Sequence, residues 1–186
     1  GSQVVCNLNT KSPDELVNAC RKYNVVAVAV DSPCRWGSQD GARLAERMLA
    51  REGISSFATP TRKRALENMS GFYGWMFNGE AVYQALEISY QLLEDEQYRR
   101  ENGPVCFETF PHAVTCAFLG KGTASAKLKR QQRRGILEDH GIDTTLLKSI
   151  DAIDAGLCAL TAAYIANGKS KSYGESVTGF IFVPAC

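Results

Sequence analysis

Three short acidic segments, far apart in the chain, carry the residues best suited to chemistry. Asp31 follows a run of valines and alanines, Glu108 lies within Cys-Phe-Glu-Thr-Phe-Pro, and Asp151 and Asp154 are three residues apart. A carboxylate at the end of a buried strand is costly to desolvate unless a cation meets it. Because oxygen ligands suit Mg²⁺ or Mn²⁺, we predict that these four residues share a divalent metal centre. Hydrolytic phosphoryl chemistry uses such a centre.

Each acid also has an ordinary structural interpretation. The Asp-Ser-Pro sequence at residues 31–33 is common in turns. Acids in a first helical turn, as predicted for Asp151 and Asp154, complement the positive end of the helix dipole. Glu108 is harder to explain without a neutralising partner, because aromatic residues flank it. Taken together, the three segments favour a functional site.

A run of basic residues is the second functional signal. No acid lies between Glu108 and Glu138, and that interval carries Lys121, Lys127, Lys129, Arg130, Arg133 and Arg134. Such a patch attracts a polyanion, and binding to it weakens as salt is added. A solvated helix face is the structural alternative. Arg62, Lys63 and Arg64 would extend the patch.

Other chemistries have weaker signals. The chain has two histidines, no Cys-x-x-Cys pair and no His-Glu-x-x-His helix, which argues against zinc. It also has no phosphate-binding Walker loop and no Gly-x-Ser-x-Gly elbow. His112 could contact a phosphate, but a structural role is the simpler interpretation. The aromatic residues at 72–77 are interpreted as core or lid packing in preference to a base-stacking platform.

Composition limits the class of protein. A chain of 186 residues with 45% hydrophobic and 22% charged residues favours one domain, and a net charge of +1 excludes the strong basicity of a nucleic-acid coat. The seven cysteines are an odd number without paired spacing, which predicts reduced, buried thiols and a cytoplasmic location. No apolar run approaches the ~20 residues that span a bilayer, so we expect no membrane partner.

The hydrophobic pattern places the acids on alternating strands and helices. We predict strands at 3–10, at 25–30, up to Glu108 and at 178–183, and helices at 12–23, 40–51, 80–100 and 142–166. The unbroken valine and alanine run at 25–30 predicts a strand covered on both faces, central and parallel to a neighbour. We expect an α/β layer architecture in a single domain over 1–186, with a helical insertion at about 66–102.

The ordered motifs resemble domain-of-unknown-function family 429, a family of expected ribonuclease H-like nucleases. The resemblance rests on Asp-Ser-Pro at 31–33, Glu-Thr-Phe-Pro at 108–111, the basic stretch 127–134 and Asp-Ala-Ile-Asp at 151–154. It covers residues 3–184 and implies a ribonuclease H-like mixed sheet flanked by helices. The family's usual first strand, which carries an aspartate, has no counterpart before Val25, so we expect the sheet to lack it.

The resemblance also implies a site. Two Mg²⁺ or Mn²⁺ ions would be bound by Asp31, Glu108, Asp154 and Asp151. Phosphate contacts would come from basic side chains, namely Arg62, Lys127, Lys129, Arg130 and Arg133.

The leading hypothesis is therefore a metal-dependent phosphodiester hydrolase, a nuclease with nucleic acid as its partner. One alternative is a non-catalytic module of the same fold that binds nucleic acid or protein through residues 127–134 without metal. Another is hydrolysis of a small phosphorylated metabolite in a pocket lidded by residues 72–77. An exposed sheet edge, if the first strand is absent, predicts a homodimer.

Overall fold

A mixed sheet of five strands organises the part of the chain that the structure describes. The computed structural model describes residues 3–38, 41–95, 98 and 103–186. The strands are β1 (Ala27–Val30), β2 (Gln91–Leu92), β3 (Val105–Thr109), β4 (Ser170–Glu175) and β5 (Gly179–Pro184). β1 pairs with one edge of β3, while β2 and β5 share its other edge, and all three are parallel to β3. β4 completes the sheet as the antiparallel partner of β5.

Helices cover both faces of this sheet. In chain order they are α1 (Pro13–Lys22), α2 (Leu44–Arg51), α3 (Arg62–Leu66), α4 (Gly74–Leu86), α5 (Pro111–Leu119), α6 (Lys129–Asp139) and α7 (Ile150–Ala166). Ala27 and Ala29 of β1 pack with residues of α7. Val28 and Val30 pack with residues of α1 and α4 on the opposite face. This open mixed sheet flanked by helices agrees with the ribonuclease H-like α/β class that the sequence predicts.

Local sequence signals fix where the helices that carry the acids begin. The Ser149 hydroxyl accepts the backbone N–H of Ala152 at 3.0 Å, so α7 starts with Asp151 in its first turn. α5 starts at Pro111, directly after β3, because proline suits the first helical position. Glu108 therefore lies at the junction between a fully buried strand and a helix.

Six of the eight predicted strands and helices are confirmed in type and approximate position, including the strand at 178–183 and the helices at 40–51 and 142–166, the last of which begins at Ile150. The helix after Ser12 and the strand ending near Val30 are present, and the strand that contains Glu108 is buried along its whole length. β1 is also parallel to its neighbour, as predicted.

Three other predictions are wrong. Residues 3–10 contain no strand. The helix predicted at 80–100 begins earlier, at Gly74, and ends at Leu86, after which the chain forms β2. Residues 96, 97, 99 and 100 of that prediction lie outside the described residues. β1 is not central but an edge strand, since it pairs only with β3 among the described strands.

The described helices are all too short or too polar to cross a bilayer.

Candidate functional site

Glu108 lies in a buried ion pair with Arg43, the residue that precedes α2. Its Oε1 accepts a hydrogen bond from Nη2 of Arg43 at 2.6 Å, and its Oε2 accepts one from Nη1 at 2.9 Å. The backbone N–H of Cys34 donates to the same Oε2 at 2.8 Å. Both residues are almost completely buried. An arginine therefore supplies the positive charge that a buried Glu108 requires.

Glu46 completes this network on the other side of Arg43. Its carboxylate accepts a hydrogen bond from Nε of Arg43 at 2.9 Å. It also accepts hydrogen bonds from the backbone N–H groups of Arg43, at 2.9 Å, and Thr59, at 3.0 Å. Burial alone lowers the pKa of Arg43, but the adjacent charges of Glu108 and Glu46 outweigh burial and raise it above its ordinary value. The network joins the end of β3 to α2 and to the loop that contains Thr59.

Asp154 forms a second ion pair, with Arg133 of α6. Nη1 of Arg133 donates to Oδ1 of Asp154 at 2.6 Å, and both side chains are largely buried. Burial raises the pKa of Asp154, while the hydrogen bond and charge of Arg133 oppose that rise. The Nε atom of Arg133 is buried without a hydrogen-bond partner. This arginine therefore retains donor capacity beyond its contact with Asp154.

Asp31 differs from the other two acids, because no hydrogen-bond donor to its carboxyl is found among the described residues. Asp31 is an exposed residue by surface area, although many protein atoms surround its carboxyl. Burial, followed by repulsion from Asp154, raises the pKa of Asp31 to about 7. Arg133 lowers it, while Glu108 and Asp151 add further repulsion. The carboxylates thus lie close enough to influence each other, and Asp31, unlike Glu108 and Asp154, has no cationic partner in direct contact among the described residues.

Strand register explains why the acids form two ion-pair centres. Val30 is the partner of Glu108 in the parallel pairing of β1 with β3. Successive side chains of a strand point to opposite faces, so Asp31 continues the face of Ala29, toward α7. Glu108 continues the face of Val30, toward α4 and Arg43. The two strand ends are adjacent, but their carboxylates leave the sheet on opposite sides.

The donor set suits one hard cation better than two. Among the described residues, no group of three acidic, histidine or cysteine side chains is arranged to hold a metal ion. Glu108 has both oxygens engaged, which leaves Asp31, the exposed Asp151 and one oxygen of Asp154. Mg²⁺ commonly keeps several waters and uses one or two carboxylates together with substrate phosphates. A single magnesium ion would need only Asp31 and Asp154 among these acids.

A small cleft opens beside Asp31. It has a volume of about 80 Å³ and is lined by three acids, Asp31, Glu46 and Glu108, and by Arg43. Three aromatic residues, Phe57, Trp75 and Phe110, also line it. The cleft therefore combines charged groups with ring surfaces at the carboxyl ends of β1 and β3.

Comparison with known families supports the relationship inferred from the motifs. Residues 5–178 match a family described as a protein of unknown function, DUF429. The chain belongs to this family. The matched range includes Asp31, and it includes Glu108 and Asp154 together with the arginine that pairs with each. Neither the curated proteins nor the solved structures compared with the chain gave a match.

The basic stretch at 127–134 is partly structural. Arg133 is buried against Asp154. Arg130 and Arg134 donate to backbone carbonyls between α6 and α7, at Lys148 and at Thr144 and Leu147. Lys127 and Lys129 are exposed. These two lysines remain the part of the predicted patch best placed to meet a polyanion in solution.

Arg62 is also engaged in the structure. Its Nε and Nη2 donate to the two oxygens of Glu80 at 2.9 and 3.1 Å. Its guanidinium lies 5.6 Å from the centre of the Phe77 ring. A phosphate contact by Arg62 would compete with Glu80.

Two residues in DUF429's matched range were missed by sequence reasoning. Arg43 precedes α2 and Glu46 lies in its first turn, and their spacing of three residues is a sequence signal for a local ion pair. The contact of Arg43 with Glu108 is long-range and has no sequence signal.

His112 follows β3 by three residues, and burial, then the charge of Arg133, lowers its pKa. His112 is thus neutral at neutral pH and lies near the second ion-pair centre.

Proposed function

We propose that this chain is a metal-dependent phosphodiester hydrolase, a nuclease whose cation is held by Asp31 and Asp154. The observation that carries the proposal is the electrostatic environment of Asp31. Its pKa is raised to about 7 by burial and by three neighbouring acids, with Arg133 as the opposing charge. A divalent cation at this position would offset that repulsion, and it would lower the pKa of Asp31.

The chain's own residues have distinct roles in this proposal. Mg²⁺ or Mn²⁺, when bound, polarises the phosphoryl group of the substrate. Asp31 and the free oxygen of Asp154 hold the cation, with Asp151 adding negative charge one turn earlier. Arg133 donates to charge that develops on the phosphoryl oxygens. His112, kept neutral by burial and by Arg133, accepts a proton from water.

Glu108 has a positioning role in this scheme. Its bonds to Arg43 and to the backbone of Cys34 hold the end of β3 against the loop after β1. That loop starts at Asp31, so the buried ion pair fixes where the proposed ligand lies. Glu108 would then affect cleavage through the geometry of Asp31.

A cleavage assay tests the proposal. Labelled single-stranded, double-stranded and RNA–DNA hybrid substrates are incubated with the wild-type chain while Mg²⁺ or Mn²⁺ is titrated. We expect metal-dependent cleavage that falls about 100-fold or more in Asp31→Asn, because a cation ligand is lost. Asp139→Asn on α6 is the matched control, since Asp139 is an exposed acid outside the site. Equal cleavage by Asp31→Asn and the wild type would reject the assignment.

A second candidate is a non-catalytic module that binds nucleic acid. It is favoured by Arg43 and Arg133, which already neutralise two of the predicted ligands. This candidate predicts metal-independent, salt-sensitive binding through Lys127 and Lys129, with no turnover. Hydrolysis of a small metabolite is less well supported, because a cleft of about 80 Å³ is too small to enclose one.

We also propose a cytoplasmic location and self-association. All seven cysteines are free, as expected for a reducing compartment. Among the described strands β1 pairs only with β3, and its other edge supports a homodimer because the backbone groups there can pair with another strand.

A further inference from the structure

Aromatic rings are exposed at the mouth of the cleft that contains Asp31. We call Phe57, Phe72, Tyr73 and Trp75 the aromatic platform. Phe57 is its centre, with ring-centre distances of 5.6 Å to Phe72, 6.2 Å to Tyr73 and 6.1 Å to Trp75. The exposed fractions are 44% for Phe57, 55% for Phe72 and 42% for Trp75. Phe57 and Trp75 also line the cleft, so the platform starts beside the acids.

The platform is not a loosely packed part of the core. α4 buries Met76, Gly79 and Tyr83, and Trp75 at its start lies outside that buried set. The helix therefore already has an apolar side facing the sheet. Met69, which is 97% exposed, lies in the turn before Phe72. A contiguous exposed apolar surface of this kind marks a binding site.

The chemistry of the platform matches unstacked bases. Its rings are tilted to one another by 44° to 79°, so each can offer a face to a planar group. Base–aromatic stacking tolerates any base, and it requires bases that are not already stacked within a duplex. Arg62 and Lys63 of α3 follow the Phe57 loop, and Arg62 lies over the neighbouring Phe77 ring. Arg62 and Lys63 are ion-paired with Glu80 and Glu67, but both side chains are more than half exposed, so a phosphate backbone can compete for them.

We propose that the aromatic platform stacks the bases of a single-stranded nucleic acid and delivers an adjacent phosphodiester to the cleft at Asp31. The inference rests on the proposed phosphodiester chemistry, and it names single strands as the substrate class. Phe57 and Trp75 hold the bases nearest the cleft, while Phe72 extends the contact outward. The ion-pair centres keep the cleft rigid while the strand binds.

Binding without cleavage tests this inference. Fluorescence anisotropy is measured in EDTA with a labelled 12-nucleotide single strand, an abasic strand of equal length and the corresponding duplex. We expect the single strand to bind best. The double variant Phe57→Leu/Trp75→Leu should bind it about tenfold or more weakly, because two stacking surfaces are removed. The double variant and the wild type should bind the abasic strand with equal affinity.

Tyr23→Leu is the matched control. Tyr23 is an aromatic residue of similar exposure, 40%, at the end of α1 and outside the platform. It should bind the single strand as the wild type does. Circular dichroism and urea unfolding confirm that the double variant is folded before its affinity is compared.

The outcomes separate the inference from the proposed function. Equal affinity of the wild type for abasic and base-bearing strands, or an unchanged affinity of the double variant, overturns the platform. A platform that instead joins two proteins would change the sedimentation of the double variant and leave strand affinity unchanged, which also overturns it. Platform-dependent binding without metal-dependent cleavage would reject the hydrolase proposal and leave the platform as a binding site.

Discussion

Asp31 is the residue whose ionisation most directly reports on the proposed site. Its pKa is raised to about 7 in the folded chain, whereas an aspartate in an unfolded chain titrates near ~3.9. Between these values the folded state holds a proton that the unfolded state has lost, so stability falls as the pH rises through this window. Asp31→Asn cannot ionise. Its melting temperature should exceed that of the wild type at pH 8 and differ little at pH 4.

The same measurement tests the cation. Mg²⁺ should raise the melting temperature of the wild type at pH 8, because binding to the folded state stabilises it. It should have no such effect on Asp31→Asn, while Asp139→Asn should respond as the wild type does. Parallel pH profiles for the wild type and Asp31→Asn would show that the carboxyl titrates normally. An absent Mg²⁺ response would contradict the cation site.

Arg43 should be much more important for stability than a similar arginine at the surface. Arg43→Met leaves the buried Glu108 carboxylate without its partner, which typically costs ~3–5 kcal/mol of unfolding free energy. Urea unfolding measures the loss. Arg62→Met is the matched control, because it also breaks an Arg–Glu pair but at an exposed site, and it should cost little. Equal losses would show that the buried pair does not support the fold.

At the scale of elements, composition and period predicted β1, β3, β5, α1, α2 and α7, whereas strand pairing decided β2, β4 and the register. The acids on β1 and β3 were correctly placed at strand ends. However, a register in which Val30 faces Glu108 sends Asp31 and Glu108 to opposite faces, and periodicity does not determine register. β4 was missed because its sequence, Ser-Lys-Ser-Tyr-Gly-Glu, has little apolar alternation. It is a strand because β5 pairs with it along its length.

Helix α4 shows how tertiary contacts override a helical pattern. The pattern continues beyond Leu86, but the chain leaves the helix and β2 pairs with β3. The Tyr90 hydroxyl then donates to the Val25 carbonyl at 3.0 Å. Sequence periodicity identifies the apolar residues of this segment, but it does not identify the tertiary partners that end the helix.

Gly79 of α4 tests how tightly that helix approaches the site. A Cβ at Gly79 would lie 1.9 Å from the hydroxyl oxygen and 2.6 Å from the Cβ of Ser32, the residue after Asp31. Gly79→Ala should therefore lower the unfolding free energy by ~1–3 kcal/mol through overpacking, although alanine favours helices. Gly74→Ala is the control, because open space surrounds Gly74 in the same helix. A stabilising Gly79→Ala would refute the close approach.

At the scale of the whole molecule, the sequence contained the candidate site but not its electrostatic balance. Four acids and a basic helix were evident as types and positions. Their pairing into Arg43–Glu108 and Arg133–Asp154 depends on folding, which brings together residues 65 and 21 positions apart. Net charge could not reveal which acids lack a cationic partner. That Asp31 is among them, beside acids that raise its pKa, follows only from the fold.

The exposed edge of β1 makes a prediction about association. Val105 donates to the Val26 carbonyl, so alternate residues Ala27 and Ala29 direct their backbone groups away from β3. Beside Val25, an apolar groove of about 450 Å³ lies between α1 and α7. An uncharged valine and alanine strand at an edge is prone to pair with another chain, and natural edges are protected by lysine. We therefore expect concentration-dependent association of the wild type in sedimentation velocity.

Val26→Lys should suppress this association without loss of stability, because Val26 is 58% exposed and a lysine there places charge beside the free edge. Val177→Lys introduces the same charge at a residue that is 72% exposed in the turn between β4 and β5, away from β1. If charge alone prevented association, both variants would behave alike. Loss of association in Val26→Lys alone would locate the contact at β1. A wild type that stays monomeric at every concentration would show that the chain itself protects this edge in solution.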